Sequence, residues 1–134
     1  MEKEHIGSQA RMAVGGHPDR PWGAGTSTIA AHEKLPNLPG MSITVQVVDV
    51  PPGGRIPEHH HGGPTIDYMI SGVLRMQMQG DAPRDYHPGE VLFEPEGATH
   101  LYAENLSSTE PAKIMLIHVA NDGAKLINTH QRTG

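Results

Sequence analysis

The sequence predicts an all-β domain on three observations: short runs that alternate apolar and polar residues, glycine and proline scattered between them, and no stretch with the period of an amphipathic helix. Sixteen glycines and twelve prolines in 134 residues place turns between strands at the spacing of a β-sandwich or a closed barrel. The length suits one compact domain.

Taken in order, residues 1–40 read as an extended N-terminal arm. Val14 to Gly25 is punctuated by glycine and proline, and Pro18, Pro21, Pro36 and Pro39 break any long helix. A short edge strand is expected around Gly25 to Ala31, where Thr26, Thr28 and Ile29 suit a pleated edge. The arm is either a free tail or a segment that crosses to a neighbouring subunit, with Trp22 and Ile29 to bury. From Met41 to Val50 apolar and polar residues alternate, and Pro51-Pro-Gly-Gly ends the strand abruptly. Asp67 to Ser71 and Val73 to Gln79 read as a strand pair bent at Gly72, with Leu74, Met76 and Met78 on a core face. Val91 to Glu94, His100 to Asn105 and Ala112 to Ala120 are the remaining strands. These bound a barrel at residues 41–122 and leave 123–134 as a C-terminal tail, with a short turn of helix expected from Ala124.

Composition excludes several classes of function. With no cysteine there are no disulfides, no thiolate metal sites and no cysteine nucleophile. A formal charge of −5 without a basic cluster leaves nucleic acid no electrostatic footprint, and 4% aromatic residues offer no base-stacking platform. No apolar run is long enough to span a membrane, and Met1 to Gln9 lacks the apolar region of a secretory signal. A cytoplasmic protein is the expectation.

Ten histidines are the exception to this plain composition. In Pro57-Glu58-His59-His60-His61, residues at i and i+2 on an extended chain share a face, with Cβ atoms roughly 6.5–7 Å apart. His59 and His61 can therefore converge on one cation, while His60 points away. On its own this triplet is a weak signal, more often a solvated surface loop than a metal site.

A second segment strengthens the metal reading. Gly53, His59, His61 and Gly72 fall at the spacing of the first cupin motif, and Gly89, Pro95-Glu96-Gly97 and His100 at that of the second. Over residues 41–120 the chain resembles the cupin superfamily. The resemblance implies a double-stranded β-helix (jelly-roll) barrel in which His59, His61 and His100 meet at a divalent metal ion: Fe, Zn, Ni, Mn or Cu. The chain departs from the pattern at two places. Thr65 stands where a glutamate ligand is usual, and Glu104, followed by Asn105, stands where an asparagine is common. A three-nitrogen centre is thus expected, more positive by one charge and suited to an anionic small-molecule ligand. The resemblance also implies a homodimer, for which the arm offers a means.

Five further residues are candidates for the cavity. Asp67 shares the face of Thr65 one pair further along the strand, as a partner of a histidine or a substrate-facing acid. Tyr102 and Glu104 share strand parity with His100. Arg75 would clamp a substrate carboxylate if its face turned inward, and His118, between Ile117 and Val119, reads first as a satisfied core histidine. His5, His17, His32, His87 and His130 read as surface residues. Three-histidine cupin sites resemble those of Fe(II) dioxygenases, so the expectation leans to a metal-dependent, dioxygenase-like enzyme on a small organic molecule. A metal-assisted isomerase or lyase and a non-catalytic metal- or metabolite-binding barrel are the alternatives.

Overall fold

The computed structural model describes residues 11–14, backbone only, and 25–130. Trp22, His5, His17 and the prolines at 18 and 21 lie outside the described residues.

Strands β1 (Arg11–Val14), β2 (Gly25–Lys34), β3 (Met41–Val50), β4 (Arg55–Ile56), β5 (His59–His61) and β6 (Thr65–Ser71) form the first half of the chain. Strands β7 (Leu74–Met78), β8 (Arg84–Tyr86), β9 (Val91–Glu94), β10 (His100–Glu104), β11 (Ala112–Asn121) and β12 (Ile127–Thr129) form the second. They make two antiparallel sheets and, among the described residues, no helix. One sheet runs β1-β2-β3-β11-β6-β9; the other runs β12-β5-β10-β7-β8, with β4 also paired to β10. The jelly-roll arrangement is the predicted one. Among the described residues no helix is long and apolar enough to cross a membrane.

The alternation read from the sequence is visible in the burial. Along β3 every second residue is buried, and Val48 and Val50 join Ile114 and Leu116 of β11 in the core. Leu74 and Met76 of β7, Ile56 of β4 and Ala103 of β10 close that core from the opposite sheet. Burial of such side chains stabilises the fold by roughly 1.5–3 kcal/mol each.

Four local readings are corrected. The edge strand β2 extends to Lys34, because His32, Glu33 and Lys34 continue the ladder to Ser42. β6 and β7 are not partners: they belong to different sheets, and Gly72 is the crossing point between them. Its φ of 71° favours glycine, and a Cβ there would stand 2.5 Å from the Pro111 carbonyl oxygen. The C-terminal turn of helix is instead the strand β12, paired to β5 through Ile127–His61 and Thr129–His59. Finally, β10 carries a bulge: His100 faces Met78, but Tyr102 faces Gln77. One extra residue reverses the parity beyond it.

Candidate metal centre

The bulge decides which candidates reach the interior. His100 is buried, and so are Ala103 and Asn105, whereas Tyr102 and Glu104 turn to the outer face with Gln77 and Arg75. The shared parity expected for Tyr102 and Glu104 with His100 is lost for this reason. Tyr102 stacks under the Arg55 guanidinium at 4.7 Å. Arg75 pairs with Asp85 at 2.8 Å on that same outer side and clamps nothing inside the barrel. The same shift explains the displaced asparagine. Asn105 takes the inward place and donates to the carbonyls of Val50, Pro51 and Glu110, fastening the loops beyond β3 and β10.

Four side chains meet inside: His59 and His61 from β5, His100 from β10 and Glu94 from β9. All are buried, and one ligand atom from each lies within 4.8 Å of every other. The ring centroids of His59 and His61 are 4.8 Å apart, and those of His59 and His100 are 5.0 Å apart. Pairing of His100 opposite His59 across the two strands produces this convergence.

Hydrogen bonds set the histidine tautomers. His59 Nδ1–H donates to the Pro57 carbonyl at 2.8 Å, and His61 Nδ1–H donates to the Leu126 carbonyl at 3.0 Å. Both therefore present an Nε2 lone pair to the centre, the arrangement expected of metal-binding imidazoles. His61 Nε2 lies 3.1 Å from Glu94 Oε2, and His100 Nδ1 lies 3.5 Å from Glu94 Oε1. Neither ring nitrogen of His100 has a hydrogen-bond partner, and neither does Glu94 Oε1. Buried orphans of this kind are costly, and a divalent cation between these four residues would satisfy them together. Three imidazoles with one carboxylate are a suitable donor set for the first-row metals named above.

Sequence reasoning missed Glu94. It sits on β9 directly across the ladder from Thr65, the position at which the carboxylate was expected. The acid is displaced by one strand, not absent, so the extra positive charge inferred from Thr65 does not arise. The only signal in the sequence was an acidic residue at an inward position of a short apolar strand.

Electrostatics follow from burial. Burial, reinforced by the His100 and His61 charges, lowers the His59 pKa to about 3. Burial also lowers His100. For Glu94, burial alone would raise the pKa, but the neighbouring His61, Asp67 and His100 hold it well below the carboxylate range. Asp67 is pushed the other way, first by burial and then by Glu94. No donor faces either oxygen of Asp67, and its neighbour is a carboxylate. That contact is favourable only when one of the two carboxyls holds a proton, and the opposed shifts put the proton on Asp67.

Asp67 is outside the set of four but lines the same cavity, together with His59, His61, His100, Met76, Leu116 and Ile127. The space for the centre of a water-sized body is about 10 Å³, room for roughly one water. His118 is wholly buried, as its apolar strand suggested. Its Nε2–H donates to Gln46 Oε1 at 2.9 Å, and its Nδ1 faces the Thr65 hydroxyl at 3.2 Å. Its ring packs 5.0 Å from that of His61, which it braces from outside the four. Of the histidines expected at the surface, His32 and His87 are exposed. His130 is half-buried between His60, at 2.7 Å, and Glu58, at 2.7 Å.

Residues 46–118 match the model of the cupin domain. Over 59 residues, 44% of this chain and 29% of the relative, the chain is 34% identical to the dimethylsulfoniopropionate lyase DddQ of Ruegeria pomeroyi. It is 24% identical to germin-like protein subfamily 3 member 1 of Arabidopsis thaliana, over 75% of this chain and 50% of that one. The chain thus spans half or less of the length of these relatives. Among solved structures, the polyketide cyclase RemF of Streptomyces resistomycificus superposes with a TM-score of 0.66 at 16% identity, covering 99% of this chain and 87% of its own.

Proposed function

Since the chain belongs to the cupin family by the match over residues 46–118, we propose that it is a metal-dependent enzyme that moves a proton on a small organic substrate, in the manner of a lyase or cyclase. The observation that carries this reading is Asp67, a buried carboxyl with no donor partner that opens on the same small cavity as the three histidines.

His59, His61, His100 and Glu94 would hold the ion, which when bound supplies a Lewis acid for an oxygen of the substrate. The Nδ1–H bonds of His59 and His61 to backbone carbonyls fix both rings, so no side-chain reorganisation accompanies ligation. Asp67 keeps a proton at its Oδ against Glu94 and is the acid or base of the cavity. Met76, Leu116 and Ile127 surround it with hydrocarbon and exclude water. The chemistry of these walls suits a small substrate with one oxygen-bearing end and a short apolar body, which must widen a cavity that has room for roughly one water. The names of DddQ, a lyase, and RemF, a cyclase, support this class of reaction. The leaning to a dioxygenase rested on a centre of three histidines alone, and Glu94 weakens that premise.

The test is a panel of small carboxylic acids bearing a β-leaving group, incubated with metal-loaded protein and followed by proton NMR, with an oxygen electrode in parallel. Elimination products are expected, with turnover falling by roughly 10²–10⁴-fold in Asp67→Asn at unchanged metal content. Oxygen uptake without elimination would return the reading to a dioxygenase. Silence in both channels from stoichiometrically loaded protein would favour a non-catalytic binding barrel.

A further inference from the structure

The outer face of β5 and β12 gathers a second set of polar side chains. The ladder that pairs Ile127 with His61 and Thr129 with His59 continues one residue further, where the His130 N–H donates to the Glu58 carbonyl at 3.1 Å. Side chains alternate along both strands, so Glu58, His60 and His130 stand together, turned away from the buried His59 and His61. His130 Nδ1–H donates to Glu58 Oε2 at 2.7 Å. That bond fixes the tautomer and leaves the His130 Nε2 lone pair towards His60 Nδ1, 2.7 Å away. The two rings lie 5.0 Å apart between centroids and are inclined at 46°. In the metal-free protein the His60 Nδ1–H fills this gap as a donor. Moving that proton to His60 Nε2, a change of tautomer without change of charge, turns the gap into one between two lone pairs.

We propose that His60 and His130 form a second metal site, on the outside of the barrel, for one Cu(II) or Ni(II) ion, with Glu58 as the positioning residue of His130. The spacing of the nitrogens selects the ion. Two nitrogens at about 2.0–2.1 Å from one metal are about 2.9 Å apart at a right angle and about 3.3 Å apart at the tetrahedral angle. From the 2.7 Å seen here the first needs a shift of about 0.2 Å and the second about 0.6 Å. Right angles belong to the square and tetragonal geometries of Cu(II) and Ni(II), and the tetrahedral angle to zinc. Glu58 does for His130 what backbone carbonyls do for His59 and His61: it holds the Nδ1–H so that Nε2 faces the ion. All three side chains are half-buried, so water completes the coordination from the open side. An ion here clips β12, with the cavity-lining Ile127, to the strand that carries His59 and His61. With only two protein donors the site exchanges its ion readily and is measured at equilibrium, without desalting. His60 faces away from the cavity, so this inference is independent of the proposed reaction.

Equilibrium dialysis of the full, untagged chain against Cu(II) measures it. The readout is a difference between proteins, so the four-residue centre and the remaining surface histidines cancel. His60→Ala and, separately, His130→Ala should each bind one equivalent fewer than the wild type, with circular dichroism unchanged. His60→Gln, which keeps a polar group at that position, should lose the same equivalent and guards against a loosened β12. Glu58→Ala should bind as many equivalents as the wild type, with affinity at this site lower by roughly 10–100-fold. Zinc at the same concentration should show no difference between the wild type and His60→Ala. Variants at His60 and His130 that bind as much Cu(II) as the wild type would overturn the proposal, and so would a loss in only one of the two. A zinc difference equal to the copper one would overturn the choice of ion.

Discussion

Glu94 and Thr65 face each other across one rung of the β6–β9 ladder, and the carboxylate on one side of that rung stands where it could do the work expected on the other. Glu94→Gln keeps the shape and removes the charge, so metal affinity should fall at least about tenfold in a chelator competition. Exchanging the pair, Thr65→Glu with Glu94→Thr, should recover most of that loss, whereas Glu94→Thr alone should not. The histidine triplet was legible because two candidate ligands lie two residues apart on one strand. Glu94 was not, because its neighbours in sequence, Phe93 and Pro95, say nothing about the strand beside it. Acid sensitivity belongs to this scale too. In the metal-free protein His59 and His118 titrate near 3, against 6.5 when exposed, chiefly through burial. Between these values the unfolded chain binds more protons, so stability rises with pH across the window and is lost on acidification. Asp67 acts oppositely above 3.8, where the fold retains a proton that the unfolded chain releases. With His100 also lowered, three histidines outweigh it. The urea midpoint of chelator-treated protein should therefore be lower at about pH 5 than at about pH 7, and an equal or higher value would contradict these environments.

At the scale of elements, strands were readable wherever one face is buried, as along β3 and β11, because alternation with period two leaves no other regular structure. Pairing was not readable. Gly72 looked like a hairpin bend, but β6 and β7 part there into separate sheets, and only tertiary contact with Pro111 shows it. The bulge between His100 and Tyr102 was equally hidden, since one inserted residue leaves the composition of β10 unchanged while reversing Tyr102 and Glu104. The tail was underread as well: β12 covers the strand that carries His59 and His61, and the Leu126 carbonyl just before β12 orients His61. Ile127 stands between the cavity and solvent, so Ile127→Ala should speed extraction of the metal by chelator without abolishing binding. At the junction of β5 and β6 a Cβ on Gly63 would stand 2.1 Å from the Val119 carbonyl oxygen. Gly63→Ala should accordingly cost about 1–3 kcal/mol of stability, read as a lower denaturation midpoint.

Over the whole molecule, one face of the larger sheet gives up its polar residues to a cavity, and the opposite sheet brings the histidines to meet them. The fold supplies the convergence: β5, β9 and β10 are distant in sequence, and the barrel delivers four ligand atoms to within 4.8 Å. A metal held by these four residues would bind the folded arrangement and not the extended chain, so saturating metal should raise the melting temperature, and the Glu94→Gln protein should gain less. The account stands most directly on metal content, measured by elemental analysis of protein purified without a histidine tag and loaded with excess zinc, then desalted. One equivalent per chain is expected for the wild type, and a small fraction of that for His100→Ala and for Glu94→Gln. Full occupancy retained in both variants would show that these four residues are not the centre.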